Sequence, residues 1–320
     1  MHGHRYGSAK PLVTVGASDQ ELVAVHELLR TCHEEVSPLV PYRSPAETVG
    51  FLRFPPNDED RPAWVVVDNG SLCAFAAVRR ERTAASAWLD LHVHPAYRRR
   101  GAGSALLEAA RSFARASGVG TLLGHFASAE AAGFCRRVGA AEGQRDVRSV
   151  ARCDQPLSVP SPVPGYRLVR WTGACPEHLL NSYAQARTSI NDAPHADADD
   201  ENWSPRRVRD LETVVARRGR ETRVTAAVDG DIVVAFTEIR VSPPPSSIAS
   251  IEDTAVAREH RRVGLASWIK ADSLATLRSQ RPDVGYVTTS NAFENRPIRT
   301  INQRLGFAPT VLWTTAVLPV

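Results

Sequence analysis

One turn occurs twice in this 320-residue chain and constrains its fold more than any other feature. The first copy is Arg98-x-x-Gly101-x-Gly103 and the second is Arg261-x-x-Gly264-x-Ala266. Each follows a strand-like stretch, the alternating apolar run 89–93 or residues 251–256, and each opens a helix. After the first copy, Leu106, Ala110, Phe113, Ala114 and Ser117 fall on one helical face. A strand, a turn of small residues and a helix start present backbone N–H groups with no side chain in front of them. With arginines alongside, such a turn suits a phosphate or pyrophosphate.

The surroundings repeat as well. Phe75 and Phe236 lie 161 residues apart, Gly101 and Gly264 lie 163 apart, and Gly139 and Gly306 lie 167 apart. Offsets that drift only by small insertions indicate an internal duplication. The expected organisation is therefore an N-terminal domain over 1–155, a proline-rich connector over 156–165, and a C-terminal domain over 166–320.

Within the first half, a strand is expected near 12–15, then a helix capped by Ser18 with Asp19 and Glu21 in its first turn. Pro38, Pro41 and Pro45 read as breaks, and Asn69-Gly70 as the turn of a hairpin between 64–67 and 72–78. A strand at 121–124 and a helix at 128–138 close that half. The second half repeats the order: a strand at 166–171, a helix at 176–190 and an insert with a helix begun by Ser204-Pro205. A hairpin around Asp229-Gly230, a strand at 284–289 and a helix at 292–305 follow. The fold class is α/β, each half a mixed, mostly antiparallel sheet flanked by helices.

Several functions are excluded by what is missing. Gly101-Ala102-Gly103 has Leu106 where a dinucleotide fingerprint needs glycine, and no P-loop sequence occurs. Five scattered cysteines form no C-x-x-C pair and no zinc spacing, so free thiols in the cytoplasm are expected, with no metal. His2 and His4 lie in a polar tail and read as neither ligands nor a tag. A net charge of +4 over two domains argues against nucleic acid as partner, and no apolar run suits a membrane span.

The two turns, placed after the fourth strand of each half, resemble those of the GNAT superfamily of acyl-CoA-dependent N-acyltransferases in tandem form. The endings Val138-Gly139-Ala140 and Leu305-Gly306-Phe307 belong to the same pattern. Asn191-Asp192-Ala193-Pro194, Phe236-Thr237-Glu238 and Glu252-Asp253-Thr254 are similar to an actinobacterial tandem group with the organisation of mycothiol synthases. The resemblance implies acetyl-CoA as cosubstrate, its pyrophosphate at the turn amides and its pantetheine arm along the fourth strand. The implied cofactor residues are Val93, Arg98, Arg99, Arg100, Gly101, Ala102, Gly103 and Ser104 in the first half. In the second they are Val256, Arg261, Arg262, Val263, Gly264, Leu265 and Ala266. The family often has a tyrosine on the last helix to protonate the leaving thiolate; Cys135 and Asn302 stand there instead.

Acceptor chemistry is sought among strand carboxylates able to take a proton from an ammonium: Glu238, Asp253 and Glu252. Strict alternation would put Glu252 and Asp253 on opposite faces. Asp192 opens an acidic stretch through Asp197, Asp199, Asp200 and Glu201 that suits a rim for a cationic acceptor or a hydrated loop. Asn291 and Asn295 are candidates for cofactor amides or for capping the last helix, and His92 and His94 for proton transfer. The expected function is acetyl transfer to a primary amine of a small molecule by a monomer, with the chemistry in the second half and the first mainly structural or regulatory. The competing class is a non-catalytic acyl-CoA-binding sensor or scaffold.

Overall fold

The computed structural model describes residues 9–194, 200–244 and 246–320. His2 and His4, and Asp197 and Asp199 of the acidic stretch, lie outside the described residues. The chain forms two compact units: one runs to Arg145 and includes Trp313–Val320, and the other spans the described residues from Asp146 to Leu312.

Unit 1 begins with β1 (Lys10–Leu12) and α1 (Asp19–Val36). Ser18 caps α1 in a reciprocal box with Glu21, satisfying two orphan donors. Pro45, read as a break, is instead the first residue of α2 (Pro45–Arg53). Its missing N–H would be unpaired there anyway, and Ser44 supplies the cap. Next come β2 (Glu59–Asp60), β3 (Ala63–Asp68), β4 (Ser71–Glu81) and β5 (Ser86–Val93). Asn69 and Gly70, at φ 47° and 80°, make the expected two-residue hairpin turn between β3 and β4. After α3 (Ala102–Ala116), β6 (Thr121–Phe126) and α4 (Ala129–Arg137) comes β7 (Ala141–Arg152).

Unit 2 repeats this with β8 (Arg167–Thr172), α5 (Glu177–Thr188), α6 (Pro205–Arg217), β9 (Glu221–Asp229) and β10 (Ile232–Val241). It continues through β11 (Ile248–Val256), α7 (Leu265–Gln280), β12 (Tyr286–Ala292), α8 (Arg296–Arg304) and β13 (Ala308–Pro319). Sheet order is β1-β3-β4-β5-β6-β13 in unit 1 and β8-β9-β10-β11-β12-β7 in unit 2. Thus Thr314–Pro319, from the end of the second half, pairs with β6, while Asp146–Arg152, from the end of the first, pairs with β12. The two halves exchange closing strands.

Each sheet has a core on both faces. In unit 2, Phe236 packs with Tyr183, Leu179 and Trp171 toward α5, while Ile239 packs with Ala271 and Leu274 of α7. In unit 1, Phe75 meets Leu22, Val25 and Leu28 of α1, and Val78 meets Leu107 and Ala110 of α3. Among the described residues no helix is long and apolar enough to cross a membrane, and no His/Cys/Asp/Glu group could hold a metal ion. The five cysteines are free thiols.

Candidate active site

Both repeated turns have the same backbone. Arg99 and Gly101 sit at φ 65° and 92°, and Arg262 and Gly264 at 67° and 100°. Two left-handed residues with one residue between them reverse the chain tightly, and glycine takes such a φ without a Cβ penalty. Gly101 and Gly264 are the N-terminal flanks of α3 and α7, and neither helix has a side-chain cap. The first-turn amides of Ala102, Gly103 and Ser104, and of Leu265 and Ala266, therefore remain available to an anion, with Arg99, Arg100, Arg262 and Val263 exposed beside them.

The first arginine of each motif has a structural task. Arg98 donates from Nε to the Val93 carbonyl at 3.2 Å and from Nη1 to Glu35 at 3.0 Å. Arg261 donates from Nε to the Val256 carbonyl at 2.9 Å and from Nη2 to Asp192 at 2.5 Å. In both units a carboxylate and a strand-end carbonyl clamp the turn through this arginine. Asp192, expected at an acceptor rim, is anchored to the turn, with Arg258 also 3.8 Å away.

A second shared feature lies beside each turn. β5 pairs in parallel with β6 only from Ser86 to Trp88, and β11 with β12 only from Ile248 to Ser250. Beyond those points the register with β6 and β12 stops, so residues 90–92 and 252–255 have one edge without a strand partner, while the Val93 and Val256 carbonyls accept from Arg98 and Arg261. An extended, amide-containing arm can pair there, directly below an anion-binding turn. The turn and open edge thus fit a CoA ester in either unit.

The units differ at the strand opposite. In unit 1 the register between β4 and β5 is continuous from Ala74↔Val93 to Arg79↔Trp88. In unit 2, Thr237 pairs with Thr254 but Ile239 with Ile251, so two residues, Glu252 and Asp253, face Glu238 alone. This is a β-bulge. It overturns the expected alternation, because both carboxylates join one ionic network.

Arg187 of α5 is the centre of that network, its side chain 3 % exposed. It donates from Nη1 to Glu238 at 2.5 Å and from Nη2 to Asp253 at 2.7 Å. The Tyr183 hydroxyl lies 2.9 Å from Nη1, and the Trp203 ring lies 3.8 Å from the guanidinium carbon. Arg240 donates to the other Glu238 oxygen at 2.7 Å and lies 3.6 Å from Glu252, which also meets Ser250 at 2.5 Å and Arg220 at 3.3 Å.

Burial alone would raise the Glu238 carboxyl, but Arg240 and Arg187 hold it down at about 2. Burial pushes Asp253 up to about 6, against the pull of Arg187 and with help from Glu238 and Glu201. Asp253 is bonded through Oδ2 only and its side chain stays 27 % exposed, leaving Oδ1 open among the described residues. Two neighbouring carboxylates therefore have opposite characters: Glu238 is a permanent charge, and Asp253 exchanges a proton near neutrality.

Sequence reasoning missed Arg187 and Arg240. A signal existed: Leu179, Tyr183 and Arg187 fall at i, i+4 and i+8 on the buried face of α5, where an arginine needs buried acids. Asn291 accepts from Asn302 at 2.7 Å, and Asn295 flanks α8 without capping it. Cys135, at the other tyrosine position, is half-buried, which raises its thiol pKa. His94 caps a short turn through Ala96 N–H, and burial lowers the His92 imidazole.

Residues 22–140 match the Acetyltransferase (GNAT) family. The whole chain superposes on a tandem GNAT protein from the clavulanic acid biosynthesis pathway, with 26% identity, 98% of each chain covered and a TM-score of 0.83. The N-terminal half thus carries a match to the GNAT acetyltransferase family, and the full chain has the fold of a tandem GNAT protein. A GCN5-related N-acetyltransferase from Sphaerobacter thermophilus shares the fold at 17% identity, with 95% of this chain and 94% of that chain covered and a TM-score of 0.72. A putative acetyltransferase from Pyrococcus horikoshii does so at 14% identity, 100% and 92% coverage, and a TM-score of 0.63. No curated protein matches the chain at a significant level. These likenesses support an acetyltransferase.

Proposed function

We propose that this protein transfers an acetyl group from acetyl-CoA to a primary amine of a small molecule, and that unit 2 carries the chemistry. The observation behind this reading is Asp253: a bulge carboxylate held by one oxygen and open at the other, whose carboxyl burial pushes up to about 6. An alkylammonium is not a nucleophile until it loses a proton, and Asp253 accepts that proton. Glu238, sealed between two arginines, does not titrate in this range and acts as a fixed counter-charge. Glu252 is neutralised by Arg220 and Arg240, so the negative charge offered to an acceptor comes from the open side of Asp253 and from Glu201 near it, which favours a cationic acceptor over an anionic one.

The turn at 261–266 would hold the pyrophosphate and the edge at 252–255 the pantetheine arm, with Asn295 and the Asn291–Asn302 pair beside α8. Acetyl-CoA supplies the acyl group as an activated thioester. N–H groups on the open edge before Val256 are available to charge developing on an acyl oxygen. In unit 1 the same cradle faces a strand without a bulge, with Ala77 at the Glu238 position; that unit binds the donor and serves structure or regulation. We place the protein in the cytoplasm, acting as a monomer, in keeping with its free thiols.

The test is free-thiol release from acetyl-CoA with a panel of primary amines that includes cadaverine and ethanolamine. Gly264→Glu should abolish turnover by placing a carboxylate where pyrophosphate sits, while Gly101→Glu should leave most of it. Gly264→Ala carries the same backbone strain without the charge and serves as control. Loss in Gly101→Glu with retention in Gly264→Glu would move the chemistry to unit 1.

A further inference from the structure

Among the described residues Asp253 has one bonded oxygen and one open oxygen, because Arg187 alone bonds it, from α5. The same guanidinium holds Glu238 through its other arm, so its two nitrogens fix the separation of the two carboxylates. Three contacts fix the guanidinium in turn: the Tyr183 hydroxyl at 2.9 Å, the Trp203 ring stacked at 3.8 Å, and the Phe236 ring, whose centroid is 5.5 Å away. A planar fork held on a ring face and bonded to two acids has little rotational freedom. We infer that Arg187 is the positioning residue of the acyl-transfer site: it aims Asp253 Oδ1 at the acceptor while keeping Glu238 out of the proton transfer.

This inference rests on the reading of Asp253 as proton acceptor. It also explains a charge arrangement that packing does not require. A structural ion pair would be complete with Arg187 and Glu238, both 3 % exposed, and Glu238 already has Arg240. The second arm of Arg187 is directed at the more exposed Asp253, where it offsets part of the effect of burial on that carboxyl. The other charges facing Asp253 are Glu238 and Arg240 from β10 and Glu201 from the segment before α6. Removing Arg187 leaves the two acidic neighbours and burial acting together, so Asp253 holds its proton to higher pH.

The experiment is the pH dependence of kcat/KM with acetyl-CoA and cadaverine as probe amine, in the full chain, for Arg187→Lys and Arg187→Met, with folding checked by near-UV circular dichroism. Lysine keeps the charge but cannot bond both acids in the planar fork. It should lower kcat/KM at least tenfold at pH 7 and raise the inflection near pH 6, with the KM for acetyl-CoA unchanged. Methionine, where it folds, should raise the inflection further, by about one pH unit or more. A folded Arg187→Lys enzyme with the parent inflection and rate would overturn the inference. Asp253→Asn separates the two claims. If it has no effect, the reading of Asp253 fails. If it removes the inflection while Arg187→Lys leaves it in place, only the role of Arg187 fails.

Discussion

Replacing Lys270 with leucine should stabilise unit 2, most strongly at neutral and lower pH. Lys270 lies in α7 with 1 % of its surface exposed, and among the described residues its Nζ meets only the Thr254 hydroxyl, at 3.4 Å. Burial lowers its pKa from 10.5 to about 7. Because the folded pKa lies below the unfolded one, the unfolded chain binds more protons between pH 7 and 10.5, and stability rises with pH across that window. At about 1.4 kcal/mol per pH unit, the charged lysine destabilises the fold by about 4 kcal/mol at pH 7 and about 1 kcal/mol at pH 10. Leu107 stands 163 positions earlier, at the matching place in α3, and is buried there, so the fold accepts leucine at this point. Thr254 keeps its bond to Thr237 at 2.8 Å, so its hydroxyl retains a partner after the change. Urea unfolding at both pH values is the assay. A gain of about 2–4 kcal/mol at pH 7, falling below about 1 at pH 10, is expected. A variant less stable than the parent, or a difference independent of pH, would refute the reasoning.

Three further outcomes follow from the same geometry. Glu238→Gln should lower stability by about 3–5 kcal/mol, since Arg187 and Arg240 lose a buried counter-charge; calorimetry of the variant measures it. Arg98→Met and Arg261→Met should each release one turn from its strand-end carbonyl and weaken acetyl-CoA binding in their own unit, which isothermal titration against each variant resolves site by site. Ser44→Ala should cost about 1 kcal/mol through the lost cap of α2, read from the thermal midpoint.

Both repeated turns are legible in the residue order, and the features that are not have physical causes. Glycine at 101 and 264, with an uncapped helix after it, is a local signature that needs no knowledge of distant contacts. The hairpin at Asn69-Gly70 is legible for the same reason. α2 is not: three prolines within eight residues read as breaks, although proline suits a first helical position once a serine precedes it. β7 and β13 escape sequence reasoning because their pairing crosses the duplication, and the β7 sequence, with five charged residues, has no clear alternation. The bulge is a surplus of one residue between two registers, which only pairing reveals. Asp253 stands out as a strand carboxylate, yet its difference from Glu238 comes from which arginines reach each acid, and those arrive from α5 and β10.

The central claim is that Asp253 takes the acceptor's proton. Its most direct test is the pH–rate profile of acetyl-CoA thiol release with cadaverine for the parent enzyme and for Asp253→Asn. The parent rate should rise with pH through about 6 and then level, because the carboxylate must be ionised to act. The asparagine variant should be slower by about 10²–10⁴-fold and lack that inflection. An asparagine variant with the parent rate and the same inflection would contradict the assignment.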